Sequence, residues 1–86
     1  MAVFTIYTRR NCSFCDKAKI LLTQLGQLYS EHDVTIPAER EAMMARVPTA
    51  KTVPQIFLSD HHIGGYEELN RLNRSGSLES LIEVYS

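Results

Sequence analysis

The chain has 86 residues, enough for one domain spanning 1–86 with a single small core. Hydrophobic residues make up 44% and charged residues 22%, an ordinary globular balance, and the net charge of −1 sets up no field that would draw nucleic acid or a membrane surface. No apolar run approaches the ~20 residues that span a bilayer, and Met1 to Thr8 is short and strand-like, without the charged-then-apolar order of a signal peptide, so a cytoplasmic protein is expected.

Val3 to Tyr7 is β-branched and aromatic and predicts a largely buried strand. After a polar loop, Asp16 to Leu25 predicts a helix with Ala18, Leu21, Leu22 and Leu25 on one face and Gly26 as its stop. Leu28 to Val34 reads as a second, weaker strand. Pro37 can open a helix at its first position, and Ala38 to Val47 is rich in helix formers, with Met43, Met44 and Val47 expected in the core and Pro48 ending the run. Thr52 to Leu58 reads as a strand entered through a proline. A polar turn, Ser59-Asp60-His61-His62, leads to a return strand at Ile63, and Gly64-Gly65 breaks it. Tyr66 to Asn73 predicts a helix with Leu69 and Leu72 inward. Ser75-Gly76-Ser77 interrupts it, and Leu78 to Tyr85 forms the last helix, with Ser77 as its cap and Leu78, Leu81, Ile82 and Tyr85 on one face. The order β-α-β-α-β-β-α-α predicts an α/β fold, a mixed sheet with helices on both faces.

The chemistry centres on Cys12-Ser13-Phe14-Cys15, which holds the only two cysteines. Positions i and i+3 of a helix share a face, so the two sulfurs can meet if a helix begins here. The first then lies at the open amino end of that helix, where unpaired N–H groups and the helix dipole favour an anion. Such a placement lowers a thiol's pKa, and the thiolate is the nucleophile of disulfide exchange. The second, a turn further in, is positioned to attack the mixed disulfide formed by the first. Two other readings stay open on spacing alone. One is a structural disulfide, although so short a loop gains little from it. The other is half of a zinc site, although there is no second cysteine pair and His61 and His62 are adjacent.

Three stretches in order resemble one family. Cys12-Ser13-Phe14-Cys15 is similar to the Cys-Pro-Tyr-Cys active site of the dithiol glutaredoxins, Thr52-Val53-Pro54-Gln55-Ile56-Phe57 to their Thr-Val-Pro motif with its cis proline, and His62-Ile63-Gly64-Gly65-Tyr66 to their Gly-Gly motif. The resemblance implies a thioredoxin-like fold with a four-stranded mixed sheet. It also implies a glutathione-dependent thiol–disulfide oxidoreductase that reduces protein disulfides and glutathione mixed disulfides, with glutathione as co-substrate. Cys12 would be the nucleophile and Cys15 the resolving thiol. Phe14 would line the glutathione groove. Thr52 and Val53 would present backbone groups to the cysteinyl unit, as an added strand does, and Pro54 would turn the preceding carbonyl toward the site. Arg9, with Arg10 as substitute, would stabilise the thiolate and hold the glycyl carboxylate, with Arg46 and Lys51 flanking the groove. Lys17 and Lys19 read as surface charges. Gly65, Tyr66, Glu67 and Glu68 would receive the γ-glutamyl end, at a helix start that suits a carboxylate.

The departures are informative. The family usually has Ser or Thr then Asp where this chain has Glu67 and Glu68; Glu68 would face the γ-glutamyl ammonium with a longer arm, and Glu67 adds a negative charge beside a carboxylate site. Ser13 replaces the common proline. Serine there occurs in members that hold a [2Fe–2S] cluster between two subunits, which makes a cluster-binding dimer through Cys12 an alternative function. A redoxin coupled to thioredoxin reductase is a third reading, although such proteins carry a tryptophan motif near the last helix and this chain has no tryptophan. A monomer is expected. Its partners would be glutathione and disulfide-bearing proteins, with ribonucleotide reductase among those the resemblance suggests.

Overall fold

In the computed structural model, which describes residues 3–86, eight elements follow one another: β1 (Phe4–Thr8), α1 (Ser13–Gln24), β2 (Tyr29–Asp33), α2 (Pro37–Arg46), β3 (Gln55–Leu58), β4 (His61–Gly64), α3 (Tyr66–Ser75) and α4 (Ser77–Val84). Met1 and Ala2 of the amino-end expectation lie outside the described residues. The strands form one sheet in the order β2-β1-β3-β4, with β1 parallel to β2 and antiparallel to β3, and β3 antiparallel to β4. This is the expected thioredoxin-like arrangement. The parallel pair is joined by a helical crossover, and the β3–β4 pair by a hairpin.

Side chains alternate across the two central strands, so each strand feeds two cores. Phe4 and Ile6 of β1 and Ile56 and Leu58 of β3 point to one face, where Ala18 and Leu22 of α1, Leu69 of α3 and Leu78 of α4 close over them. Tyr7 and Phe57 point to the other face and meet Met43 of α2, with Val34, Val47, Ala50 and Val53 packed around. Both faces of β3 are therefore covered, and all four of its residues are buried.

The boundaries differ from expectation for physical reasons. β1 runs one residue later: Val3 is exposed, while Thr8 is buried and gives its hydroxyl to Glu31 Oε2 at 2.7 Å. β2 is an edge strand of polar residues, and Leu28 stands free before it, 78% exposed. Leu25 lies at the carboxyl end of α1 and faces solvent. Met44 is exposed, because the ten-residue α2 turns a narrow stripe to the sheet and Met43 fills it. The hairpin turn is only Ser59-Asp60, with Ser59 at φ 53; His61 and His62 belong to β4, opposite Leu58 and Phe57. Gly76, at φ 82, ends α3 and caps α4. Ser77 is the first helical residue rather than the cap, and its N–H goes to Ser75 Oγ at 3.3 Å. Lys19 is more than a surface charge, since its Nζ pairs with Glu31 Oε2 at 3.0 Å. Glu31's hydrogen bond chiefly holds the Lys19 pKa above the usual ammonium range.

Candidate active site

The helix that carries the two thiols begins earlier than its apolar pattern shows. Cys12 is the N-cap of α1, with extended backbone, and the helix starts at Ser13. Asn11 before it takes a left-handed conformation, φ 55, which turns the chain from the loop into the helix. The Cys12 carbonyl accepts the Asp16 N–H at 3.1 Å, and its Sγ accepts the Cys15 N–H at 3.2 Å. A side chain at the N-cap normally satisfies this open N–H with oxygen; here sulfur does so. The Sγ also lies 3.8 Å from the Val53 carbonyl oxygen, to which the thiol donates.

The two sulfurs sit in different surroundings. Both cysteines are free; Cys12 is half-buried, whereas Cys15 is 1% exposed. Burial first, then the hydrogen bond with Cys12, push the Cys15 thiol up to about 12; the Arg9 backbone hydrogen bond opposes them, the Cys12 charge adds a smaller push, and the Lys19 charge opposes least. Cys15 therefore stays protonated at neutral pH and begins to ionise only in strong alkali. Iodoacetamide at pH 7 is expected to modify Cys12 alone, and raising the pH to 9 should still leave Cys15 unlabelled in the folded protein. Peptide mass spectrometry reads both, and equal labelling would contradict the asymmetry.

A cleft of about 570 Å³ opens beside Val53, and its walls include Arg9, Arg40, Lys51, Thr52 and Val53. Three cations on this cleft suit an anionic ligand. Sequence reasoning does not find Arg40, because a lone arginine on an exposed helix face carries no local signal. Arg46 is placed differently from expectation: its guanidinium stacks on Phe57, 3.7 Å from the ring centre, and donates to the Ser59 carbonyl at 3.0 Å. Arg9, not Arg10, lines the cleft.

The start of α3 closes on the same region. A Cβ on Gly65 would stand 3.6 Å from the Pro54 carbonyl oxygen, so this turn lies against the Val53–Pro54 bond, which is cis. Gly64 sits at φ 120, a conformation that suits glycine, and a Cβ there would displace Glu68, whose Oε1 would stand 2.8 Å away. Glu68 folds back to accept the Gly65 N–H at 2.7 Å, closing the helix start on itself. Glu67 is exposed. Phe14, 47% exposed, faces Tyr66 with ring centres 6.1 Å apart, and Lys17 Nζ sits 5.2 Å from the Phe14 ring centre and 6.0 Å from that of Tyr66. Lys17, expected as a plain surface charge, thus joins an aromatic rim. The expected residues gather as two groups flanking Val53-Pro54: Arg9, Thr52 and Val53 on the cleft, and Gly65 to Glu68 with Phe14 across from it. Among the described residues no group of three or more His, Cys, Asp or Glu side chains is placed to hold a metal ion. Among the same residues, no helix is long and apolar enough to cross a membrane.

Comparison with known proteins identifies this geometry. The sequence profile of the glutaredoxin family matches residues 4–63. The chain is 39% identical over 81 residues to glutaredoxin 1 of Rickettsia typhi, covering 92% of this chain and 78% of that one. It is 36% identical over 83 residues to glutaredoxin 3 of Escherichia coli K12, covering 96% of this chain and all of that one. Among solved structures it resembles the buckwheat glutaredoxin–glutathione complex, with a TM-score of 0.80 and 25% identity over 93% of this chain and 76% of the other. The profile spans well over half of the chain and includes both cysteines of the helix start, so the chain belongs to the glutaredoxin family, the thiol–disulfide oxidoreductases built on this dithiol.

Proposed function

We propose that this glutaredoxin is glutathione-dependent and reduces both protein disulfides and glutathione mixed disulfides, with Cys12 as nucleophile and Cys15 as resolving thiol. The observation that carries the reading is the inequality of the two sulfurs: Cys12 half-buried and hydrogen-bonded at a helix start, Cys15 enclosed and protonated behind it. The cationic cleft and the likeness to a structure solved with glutathione support the co-substrate.

The Cys12 thiolate attacks the glutathionyl sulfur of a mixed disulfide. A bond forms from Cys12 Sγ to that sulfur, and the substrate thiolate leaves and takes a proton from water. A second glutathione thiolate then attacks the bound glutathionyl sulfur, which forms oxidised glutathione and frees Cys12. With a protein disulfide, Cys12 bonds to one substrate sulfur and the other leaves as a thiolate that takes a proton from water; Cys15 then attacks Cys12 Sγ, its proton passing to the second substrate sulfur as that bond breaks. The substrate leaves reduced and the Cys12–Cys15 disulfide remains; two glutathiones reduce it. Arg9 and the other cleft cations hold the glycyl carboxylate, and the Thr52 and Val53 backbone pairs with the cysteinyl unit. The N–H groups of Tyr66 and Glu67 at the start of α3 face the γ-glutamyl carboxylate beside Gly65, and Phe14 covers the groove. Glu68 faces the γ-glutamyl ammonium with its carboxylate, whose Oε1 also accepts the Gly65 N–H and shapes the turn. In this reading the working unit is a monomer.

The test is reduction of a glutathionylated peptide, coupled to glutathione reductase and NADPH, for wild type and Cys15→Ser. Turnover by both is the expected result, together with loss by Cys15→Ser of the reduction of an intramolecular protein disulfide. No turnover by either folded protein would overturn the glutathione reading and leave the cluster-binding and thioredoxin-reductase alternatives.

A further inference from the structure

The stretch between α2 and β3 reaches the active site, yet it lies outside the sheet: β3 begins only at Gln55. Among the described residues, two side chains hold the carbonyls of Thr52 and Val53. The Cys12 thiol donates to the Val53 carbonyl at 3.8 Å, and Gln55 Nε2 donates to the Thr52 carbonyl at 2.9 Å. The first hold exists only while Cys12 carries a proton. A thiolate or a mixed disulfide has no S–H, so during turnover the Gln55 bond remains as the tether.

Gln55 is 7% exposed, and both ends of its amide are engaged. Its nitrogen goes to Thr52, so its Oε1 is the end that must accept, and His62 Nε2 lies 2.8 Å from it. This assigns the His62 ring proton to Nε2. His62 is largely exposed, and its pKa is lowered, first by partial desolvation and then by the charges of His61 and Arg46, against the opposing charge of Glu68. The imidazole is further located by Phe57, 4.9 Å between ring centres, and Phe57 by the Arg46 guanidinium on its other contact. A chain of contacts thus runs from α2 and β4 through Gln55 to the backbone beside the nucleophile.

We propose that Gln55, oriented by His62, is a positioning residue that holds the Thr52–Val53 backbone in register for a glutathionyl group on Cys12. The inference rests on the glutathione reading above, because that reading makes Thr52–Val53 the strand-like partner of the tripeptide. Neither Gln55 nor His62 touches the reacting sulfurs. A flipped or mobile carbonyl at Thr52 would cost binding, while the Cys12 sulfur and its helix start would keep their chemistry.

The experiment uses Gln55→Met, which keeps length and removes both hydrogen bonds, together with His62→Leu and His62→Gln. Two quantities are measured: KM and kcat for a glutathionylated peptide, and the backbone order parameter at Val53 in the reduced free protein. Gln55→Met is expected to raise KM about tenfold with little change in kcat. His62→Leu should raise it less, and His62→Gln, whose amide can again donate to Gln55 Oε1, should recover wild-type values. The Val53 order parameter should fall in Gln55→Met and His62→Leu and recover in His62→Gln, with α1 unchanged. An unchanged order parameter in Gln55→Met overturns the proposal, as does a fall in kcat at constant KM. If wild type itself fails to turn over the glutathionylated peptide, the functional reading falls, and the order parameter alone still decides whether Gln55 holds the loop. If Gln55→Met does not fold, His62→Leu against His62→Gln decides the matter by the same two readouts.

Discussion

Replacing Cys12 by serine is expected to lower reduction of glutathione mixed disulfides by at least about a thousandfold, to the rate of free glutathione alone. The hydroxyl cannot form the sulfur–sulfur bond on which both half-reactions depend, and it does not ionise near neutral pH. The fold should not suffer. Serine is among the preferred N-cap residues, and its Oγ would accept the Cys15 N–H that the sulfur accepts now. Equal or higher thermal stability, beside lost activity in the coupled assay, would show that the sulfur is needed for chemistry and not for structure. Residual turnover well above background would move the nucleophile away from Cys12. Cys15 cannot readily take over: its sulfur is enclosed, and its thiol ionises only near the alkaline limit.

Leu22→Ala is expected to carry the larger cost in stability, about 2–5 kcal/mol. Leu22 has no exposed surface and sits where α1 meets Phe4, Ile6 and the helices on that face. A domain of this size has a total stability of roughly 5–15 kcal/mol, and each kcal/mol lost shifts the melting temperature by about 4–8 °C. Leu22→Ala should therefore melt about 8–40 °C lower. Ile20→Ala, two residues earlier on the same helix, is the control. Ile20 is 56% exposed, and alanine is the better helix former, so its stability in urea should stay within about 0.5 kcal/mol of wild type. A similar loss from both variants would mean that α1 is not seated on the sheet as described. Because α1 also presents Cys12, Leu22→Ala should lose activity on heating in step with its unfolding and not before it.

These two substitutions separate what local sequence encodes from what packing decides. The spacing of Ala18, Leu21 and Leu22 marks the buried stripe of α1, because a helix repeats its face at fixed intervals. The same rule counts Leu25 and Met44 as core, and both are exposed. Periodicity gives direction around a helix axis, but it does not say where the neighbouring sheet ends. The apolar pattern puts the start of α1 at Asp16, because Ser13 and Phe14 add nothing to an apolar stripe; the helix begins at Ser13, since capping by Cys12 is what starts it. The turn at Ser59 is two residues long where polarity suggests four. Polar character points to a loop at His61 and His62, whereas pairing with Leu58 and Phe57 makes them strand.

By itself the sequence determined the element order, the single dithiol and the glutaredoxin resemblance, because each of these is written in local spacing: a strand, a Cys-x-x-Cys at a helix start, a Thr-Val-Pro and a Gly-Gly in turn. Only the tertiary structure decided how unequal the two thiols are, because burial of Cys15 depends on elements far away in the chain. It also decided that Arg40 joins Arg9 and Lys51 on one cleft while Arg46 stacks on Phe57, and that Gln55 and His62 meet beside the Thr52 carbonyl. Contacts of this kind join residues from different elements, and their distances are set by how β1, β3 and α2 pack and not by any pattern along the chain.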